Sequence, residues 1–184
     1  TFPSNMTELS PNTTYHVRAY ATNSEGTNYG SEVTVTTLNN PMEIVINTNL
    51  ISSTEIDLPL YYGTVDVVVD WGDGNTESIT TDGIASHTYS SEGEYKIKIY
   101  GTLTRYERDT SPPNAAAFTK VTSFGDLGLV SLSGAFNRHN NLEEVPATLP
   151  TTVIDLSACF ANSEITEVTN LAQWDVSNVT DMAG

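Results

Sequence analysis

A chain of 184 residues with 7 Lys and Arg against 23 Asp and Glu carries a formal charge of −16, and its length allows one large domain or two to three small ones. So few cations cannot displace counterions from phosphates, which excludes nucleic acid as a partner and disfavours anionic membrane surfaces. Apolar residues make up 38% and charged residues only 16%, so Ser, Thr and Asn must supply the polar surface, as in exported β-rich modules; no apolar run approaches the roughly 18–20 residues that span a bilayer.

The first segment, residues 1–40, opens with TFPSNMTELSP and not with a basic and then apolar leader, so an exported chain is expected to be a mature form or an internal piece; the incomplete hairpin and the repeat that stops at Gly184 favour an internal piece, cut at both ends. Tyr15, Val17, Ala19 and Ala21 alternate with His16, Arg18 and Tyr20, the period of a half-buried strand. The turn formers Ser24-Glu25-Gly26-Thr27-Asn28-Tyr29-Gly30 follow, and then Val33 and Val35 alternate with Glu32, Thr34 and Thr36. The pattern predicts a β-hairpin closed by a long loop. Leu9-Ser10-Pro11-Asn12-Thr13-Thr14-Tyr15 resembles the tyrosine corner of fibronectin type III domains, and the hairpin is similar to the last two strands of that family. A two-stranded hairpin alone is marginal in water, so the resemblance implies partner strands upstream or from another chain.

The second segment, 41–112, begins with Pro41 after Asn39-Asn40, a linker signal. Strands are predicted at 44–46, 56–60, 65–71 and 95–99. Val65, Val67, Val69 and Trp71 would share one face, and Tyr95, Ile97 and Ile99 would face inward while Lys96 and Lys98 face water. Short strands separated by turn signals predict a β-sandwich. Trp71-Gly72-Asp73-Gly74, His87-Thr88-Tyr89 and Gly93-Glu94-Tyr95 resemble the motifs of the PKD (polycystic kidney disease) family of immunoglobulin-like domains, in that order and at about that spacing. Gly72 and Gly74 can take positive φ around Asp73.

The third segment, 113–184, repeats. Leu129-Val130-Ser131-Leu132-Ser133-Gly134-Ala135-Phe136 matches Val153-Ile154-Asp155-Leu156-Ser157-Ala158-Cys159-Phe160, and Val179-Thr180-Asp181-Met182-Ala183-Gly184 continues the series. A period in the twenties predicts a solenoid whose rungs bury their apolar faces on one another, with short helical turns. LPTTVIDLSACFAN and NLAQWDVSNVTDMAG resemble the bacterial surface-protein repeat related to BspA-type leucine-rich repeats. The expected fold class is therefore mainly β: immunoglobulin-like and fibronectin-like sandwich modules followed by a leucine-rich-repeat-like solenoid.

Candidate sites are few. His16 falls on the outward face of its strand, His87 sits in the PKD-like motif as a structural hydrogen-bonding group, and His139 lies in the polar turn Asn137–Asn141. No Ser/His/Asp set and no converging zinc ligands can be assembled, so no catalytic, cofactor or metal residue is assigned. Cys159 is the one cysteine and aligns with Ala135 at a small inward position, which predicts a buried packing thiol. Asp66, Asp70, Asp73 and Asp82 supply oxygen ligands of the kind calcium takes, but their spacing is no EF-hand and turn chemistry accounts for Asp73. Trp71 and Trp174 are expected in the core. Tyr61, Tyr62, Tyr100 and Tyr106 could form an exposed stacking patch for glycans, with strand packing the weightier reading.

The modules together resemble multidomain cell-surface proteins of Bacteroidetes-like bacteria. That resemblance implies a non-enzymatic extracellular protein in which sandwich modules act as spacers and the repeat array binds a host or neighbouring-cell protein or glycan. Two alternatives stand beside it: a subunit of a surface filament, fibre or phage-type appendage that pairs with copies of itself through the incomplete hairpin, and an accessory module of a secreted hydrolase.

Overall fold

The computed structural model describes residues 5–107, 114–165 and 167–184, and the chain divides into two compact units, Thr1–Asn40 and Pro41–Gly184. The fold is mainly β and its sheets are antiparallel. Among the described residues there is no α-helix, and 3-10 turns occupy Thr48–Leu50, Ala115–Ala117 and Leu171–Gln173. No helix there is long and apolar enough to cross a membrane.

The first unit is one hairpin, β1 (Thr14–Asn23) paired with β2 (Gly26–Thr36). The long loop expected between them is absent, because only Ser24 and Glu25 separate the strands. Asn23 Oδ1 accepts the Glu25 N–H at 2.9 Å and Gly26 takes φ +135°, a conformation that suits glycine. Residues that read as a loop thus make a tight turn and extend both strands. At the other end the Ser10 N–H donates to Tyr15 Oη at 2.8 Å, while Thr37 Oγ1 accepts from Thr13 N at 2.9 Å. Every residue of β2 is exposed, Val33 and Val35 included.

In the second unit the strands are β3 (Met42–Asn47), β4 (Glu55–Leu60), β5 (Val65–Asp70), β6 (Thr76–Ile79), β7 (Gly83–Thr88), β8 (Glu94–Leu103) and β9 (Phe118–Ser123). One sheet has the order β6-β5-β8-β3-β9, and β4 and β7 form a second. Alternation decides which side chains go in. Met42, Ile44 and Ile46 of β3, Val65, Val67 and Val69 of β5, Ile97 and Ile99 of β8 and Ile56, Leu58 and Leu60 of β4 all enter one apolar core, each contributing about 1.5–3 kcal/mol by leaving water. Lys96 and Lys98 stay on the other face of β8, as the alternation requires.

The boundary expected at 112/113 lies outside the described residues. β9, on its far side, pairs with β3 and so belongs to the larger sheet and not to a separate body. The chain beyond β9 is joined to Arg105, to Lys120 of β9 and to itself by single parallel bridges. Arg105 bridges Ser131, Ser131 bridges Asp155 and Asp155 bridges Asp181, while Lys120, Glu144 and Thr169 form a second such row. Residues bonded across neighbouring turns of chain are 23 to 28 positions apart, as in Ser131–Asp155, Ile154–Thr180 and Trp174–Pro146. Leu132, Ala135 and Phe136 of one turn and Val153, Leu156 and Cys159 of the next continue the apolar core of the sheets.

Candidate functional site

Two repeated backbone devices set the outer surface of the bridged turns. In the first, Ser131 Oγ accepts the Ser133 N–H, Asp155 Oδ1 accepts the Ser157 N–H and Asp181 Oδ1 accepts the Ala183 N–H, at 3.2, 2.9 and 3.0 Å. A side-chain oxygen that caps a backbone donor two residues on is the chemistry of an Asx or Ser turn. This explains why one position of the repeat holds only Ser or Asp. In the second, Gly134 and Ala158 take φ +60° and +50°, and Arg138 and Asn162 take +59° and +55°, so each turn of chain bends at the same two places.

Asp155 joins neighbouring turns. Its Oδ2 accepts the Ser131 hydroxyl at 3.1 Å and its Oδ1 accepts the Ser157 hydroxyl at 2.7 Å. Burial pulls its carboxyl upward, but these bonds and the nearby Arg105 charge outweigh it and hold the group below the usual carboxylate range.

Among the described residues, the surface around these turns includes two grooves. One of about 510 Å³ is polar and acidic, with Asn140, Asn141, Glu143, Glu164 and Glu167 beside Thr119 and Thr169. Hydroxyl and N–H donors suit such a lining. The other, about 440 Å³, is apolar and lined by Leu156, Cys159, Phe160, Trp174, Val176 and Met182. Trp174 is half-buried and not fully enclosed; its Nε1–H donates to the Pro146 carbonyl at 2.8 Å while its ring lies against Phe124 and Phe160.

His139 departs from expectation. The polar turn around it read as a candidate contact loop, yet His139 is 1% exposed, edge-on to Phe118 and Phe136, with Nδ1 2.9 Å from the Asn137 carbonyl. Its neighbours Arg138 and Asn140 point outward and the left-handed turn at Arg138 rotates the imidazole in. His16 lies on the exposed face of the hairpin with Nδ1 2.9 Å from Glu32 Oε1. His87 lies over the indole of Trp71 and edge-on to Tyr89, and its Nε2 is 2.8 Å from Asp73 Oδ2. A carboxylate only accepts, so Nε2 carries the proton. Burial would raise the Asp73 carboxyl, but the bonds from His87 and Asn75 hold it lowered.

The four aspartates weighed for calcium do not share a site. Asp70 Oδ1 caps the Gly72 N–H, Asp73 is engaged by His87 and Asn75, Asp66 lies opposite Thr102 on β5, and Asp82 precedes β7 in an exposed turn. Among the described residues, no group of three His, Cys, Asp or Glu side chains could hold a metal ion. The tyrosines weighed as a patch also divide: Tyr61 and Tyr62 are neighbours at 5.5 Å between ring centroids, whereas Tyr106 is 1% exposed in the core. Cys159 is buried, and burial pushes its thiol pKa up, which suppresses the reactive thiolate.

Sequence reasoning missed the cross-strand pair Tyr20 and Tyr29, whose rings lie 6.2 Å apart and are both largely exposed. Its signal was the two-residue turn, hidden by the assumption of a long loop. No known protein family, curated protein or solved structure matches the chain.

Proposed function

We propose that this chain is a binding segment of an extracellular, bacterial cell-surface protein, with no catalytic role, that holds a protein or glycan partner on its repeated turns. The observation that carries the reading is the row of parallel bridges through Ser131, Asp155 and Asp181, which keeps the inward residues apolar and leaves the outward ones free to differ from turn to turn. Leu132, Ala135 and Phe136 inside contrast with Arg138, Asn140 and Glu164 outside. The same ladder supports a leucine-rich-repeat-like solenoid. Two antiparallel sheets around one core and the His87–Asp73 contact support a PKD-like sandwich, and the Tyr15 hydroxyl bonded to Ser10 supports a fibronectin-type corner.

The test is binding of the whole chain to immobilised extracellular-matrix proteins, to intact eukaryotic and bacterial cells and to arrayed glycans. Saturable binding to one class, without hydrolysis of peptide or glycoside substrates, is the expected result. Hydrolytic activity, or no binding to any of these surfaces, would overturn the reading.

One observation favours a second reading, self-association in a filament or fibre. Tyr15, Val17, Val33 and Val35 share a face of the hairpin, and Val33 and Val35 remain exposed on it. A second copy supplying strands would cover that face. Sedimentation across a concentration series separates the two: growing oligomers that a Val33→Lys substitution dissolves would put assembly first, and a monomer throughout would remove it.

A further inference from the structure

The register of the hairpin changes once, between Arg18 and Tyr20. Arg18 faces Glu32 and Tyr20 faces Tyr29, so Ala19 alone on β1 is opposite both Gly30 and Ser31 on β2. Such a bulge interrupts the ladder, and its consequence is a change of face. Strict alternation from Val35 and Val33 would put Tyr29 on their apolar face. The extra residue moves it to the opposite face, beside Tyr20.

On that face the two rings lie 6.2 Å apart and tilted by 43°, at 72% and 65% exposure. Their π-faces are not closed against each other. Next along the same face, the Arg18 Nε–H and Nη2–H donate to Glu32 Oε2 at 3.1 and 2.8 Å, and His16 Nδ1 is 2.9 Å from Glu32 Oε1. Two of the five guanidinium donors are spent on this contact among the described residues. On the other side of the rings the Thr22 and Thr27 hydroxyls meet at 2.8 Å.

We infer that this face, Tyr20 and Tyr29 flanked by Arg18, Glu32 and Thr22, is a binding platform for a neutral polysaccharide. The inference goes beyond the binding-segment reading, adding a contact surface on the hairpin to the one proposed on the repeated turns. A sugar ring presents an apolar C–H face and a rim of hydroxyls. The aromatic pair suits the first, and oriented donors and acceptors on both sides suit the second. A second apolar sheet fits poorly, because covering this face would strip water from the Arg18–Glu32–His16 cluster. An anionic glycan is disfavoured by the Glu32 carboxylate and the −16 charge of the chain.

The experiment is affinity electrophoresis of the full chain through gels containing soluble β-glucan, xylan, mannan or galactan, with heparin as the anionic comparison. Retardation by at least one neutral polysaccharide is expected, weakened roughly tenfold or more in both Tyr20→Ala and Tyr29→Ala, which is the scale of losing a central interface aromatic. Tyr62→Ala, an exposed tyrosine of the other unit, should bind as the parent does. Tyr20→Phe keeps the ring and should retain binding, so its retention alongside loss in Tyr20→Ala separates recognition from a disturbed hairpin. Retardation unchanged by both alanine variants would overturn this platform and leave the binding reading standing. Retardation by heparin alone, or by no glycan while protein ligands are held, would overturn it in the same way.

Discussion

His87 shows how much one side chain can hold. It connects the turn at Asp73 to β7 by a hydrogen bond and fills the space between Trp71 and Tyr89. His87→Ala removes the bond and the packing together, so a loss of about 2–3 kcal/mol in urea unfolding is expected. The pH dependence follows from Asp73 and Asp155, both held below the ordinary Asp value of 3.8. A carboxyl lowered by folding stabilises fully above its unfolded value, and that contribution is lost as pH falls through the lower folded value. Acid unfolding of Asp155→Asn should therefore show a shallower fall in stability below about pH 4 than the parent; an identical acid limb would mean that Asp155 is not held down by folding. Cys159 should resist a thiol reagent in the native state and react on denaturation. Residue chemistry was readable in the sequence where a motif fixed the neighbours, as for His87 and Cys159. It was not readable for His139, because which side of a turn a ring takes depends on backbone φ values that polarity does not encode.

At the scale of elements, β8 contains a close approach that only glycine permits. Gly101 lies opposite Val67 at φ +103°, and a Cβ there would run into the Asp66 carbonyl oxygen. Gly101→Ala should cost about 2 kcal/mol or more, since steric conflict with backbone adds to the strain of positive φ. Gly74 has φ +95° but open space where a Cβ would stand, so Gly74→Ala should cost only about 1 kcal/mol. Denaturant midpoints of the two variants check the ranking, and equal losses would show that strain alone is felt. The strands that sequence reasoning found, β3, β4, β5 and β8, are those with an unbroken apolar alternation. β6 leaves no such signal because Thr76-Glu77-Ser78 offers no apolar face, and β7 little because its inward face holds little more than Ala85. β9 is hidden differently: Phe118-Thr119-Lys120-Val121 falls in the segment that reads as repeats, although β3 is its pairing partner.

For the whole molecule, the mainly β architecture and the 24-residue echo between Ser131 and Asp155 were readable, because period-2 and long-period patterns survive in sequence without tertiary information. Where the ladder ends and the larger sheet begins was not, since β9 belongs to the sheet by pairing and its neighbours to the ladder by bridging. Charge is the property with the widest reach. Seven cations face 23 carboxylates, so ion pairs such as Lys96–Glu43 and Arg18–Glu32 can neutralise only a minority of the acidic groups. Surface pairs of this kind contribute about 0–1 kcal/mol each, whereas repulsion among the surplus acts on the folded state as a whole. Raising NaCl from about 0.01 M to about 1 M shortens the screening length from roughly 30 Å to roughly 3 Å. The melting temperature should therefore rise with salt, most steeply at the low end. A fall with salt would mean that the few attractive pairs outweigh the surplus, and Lys96→Gln, which removes one of them, would then have to lessen the salt effect.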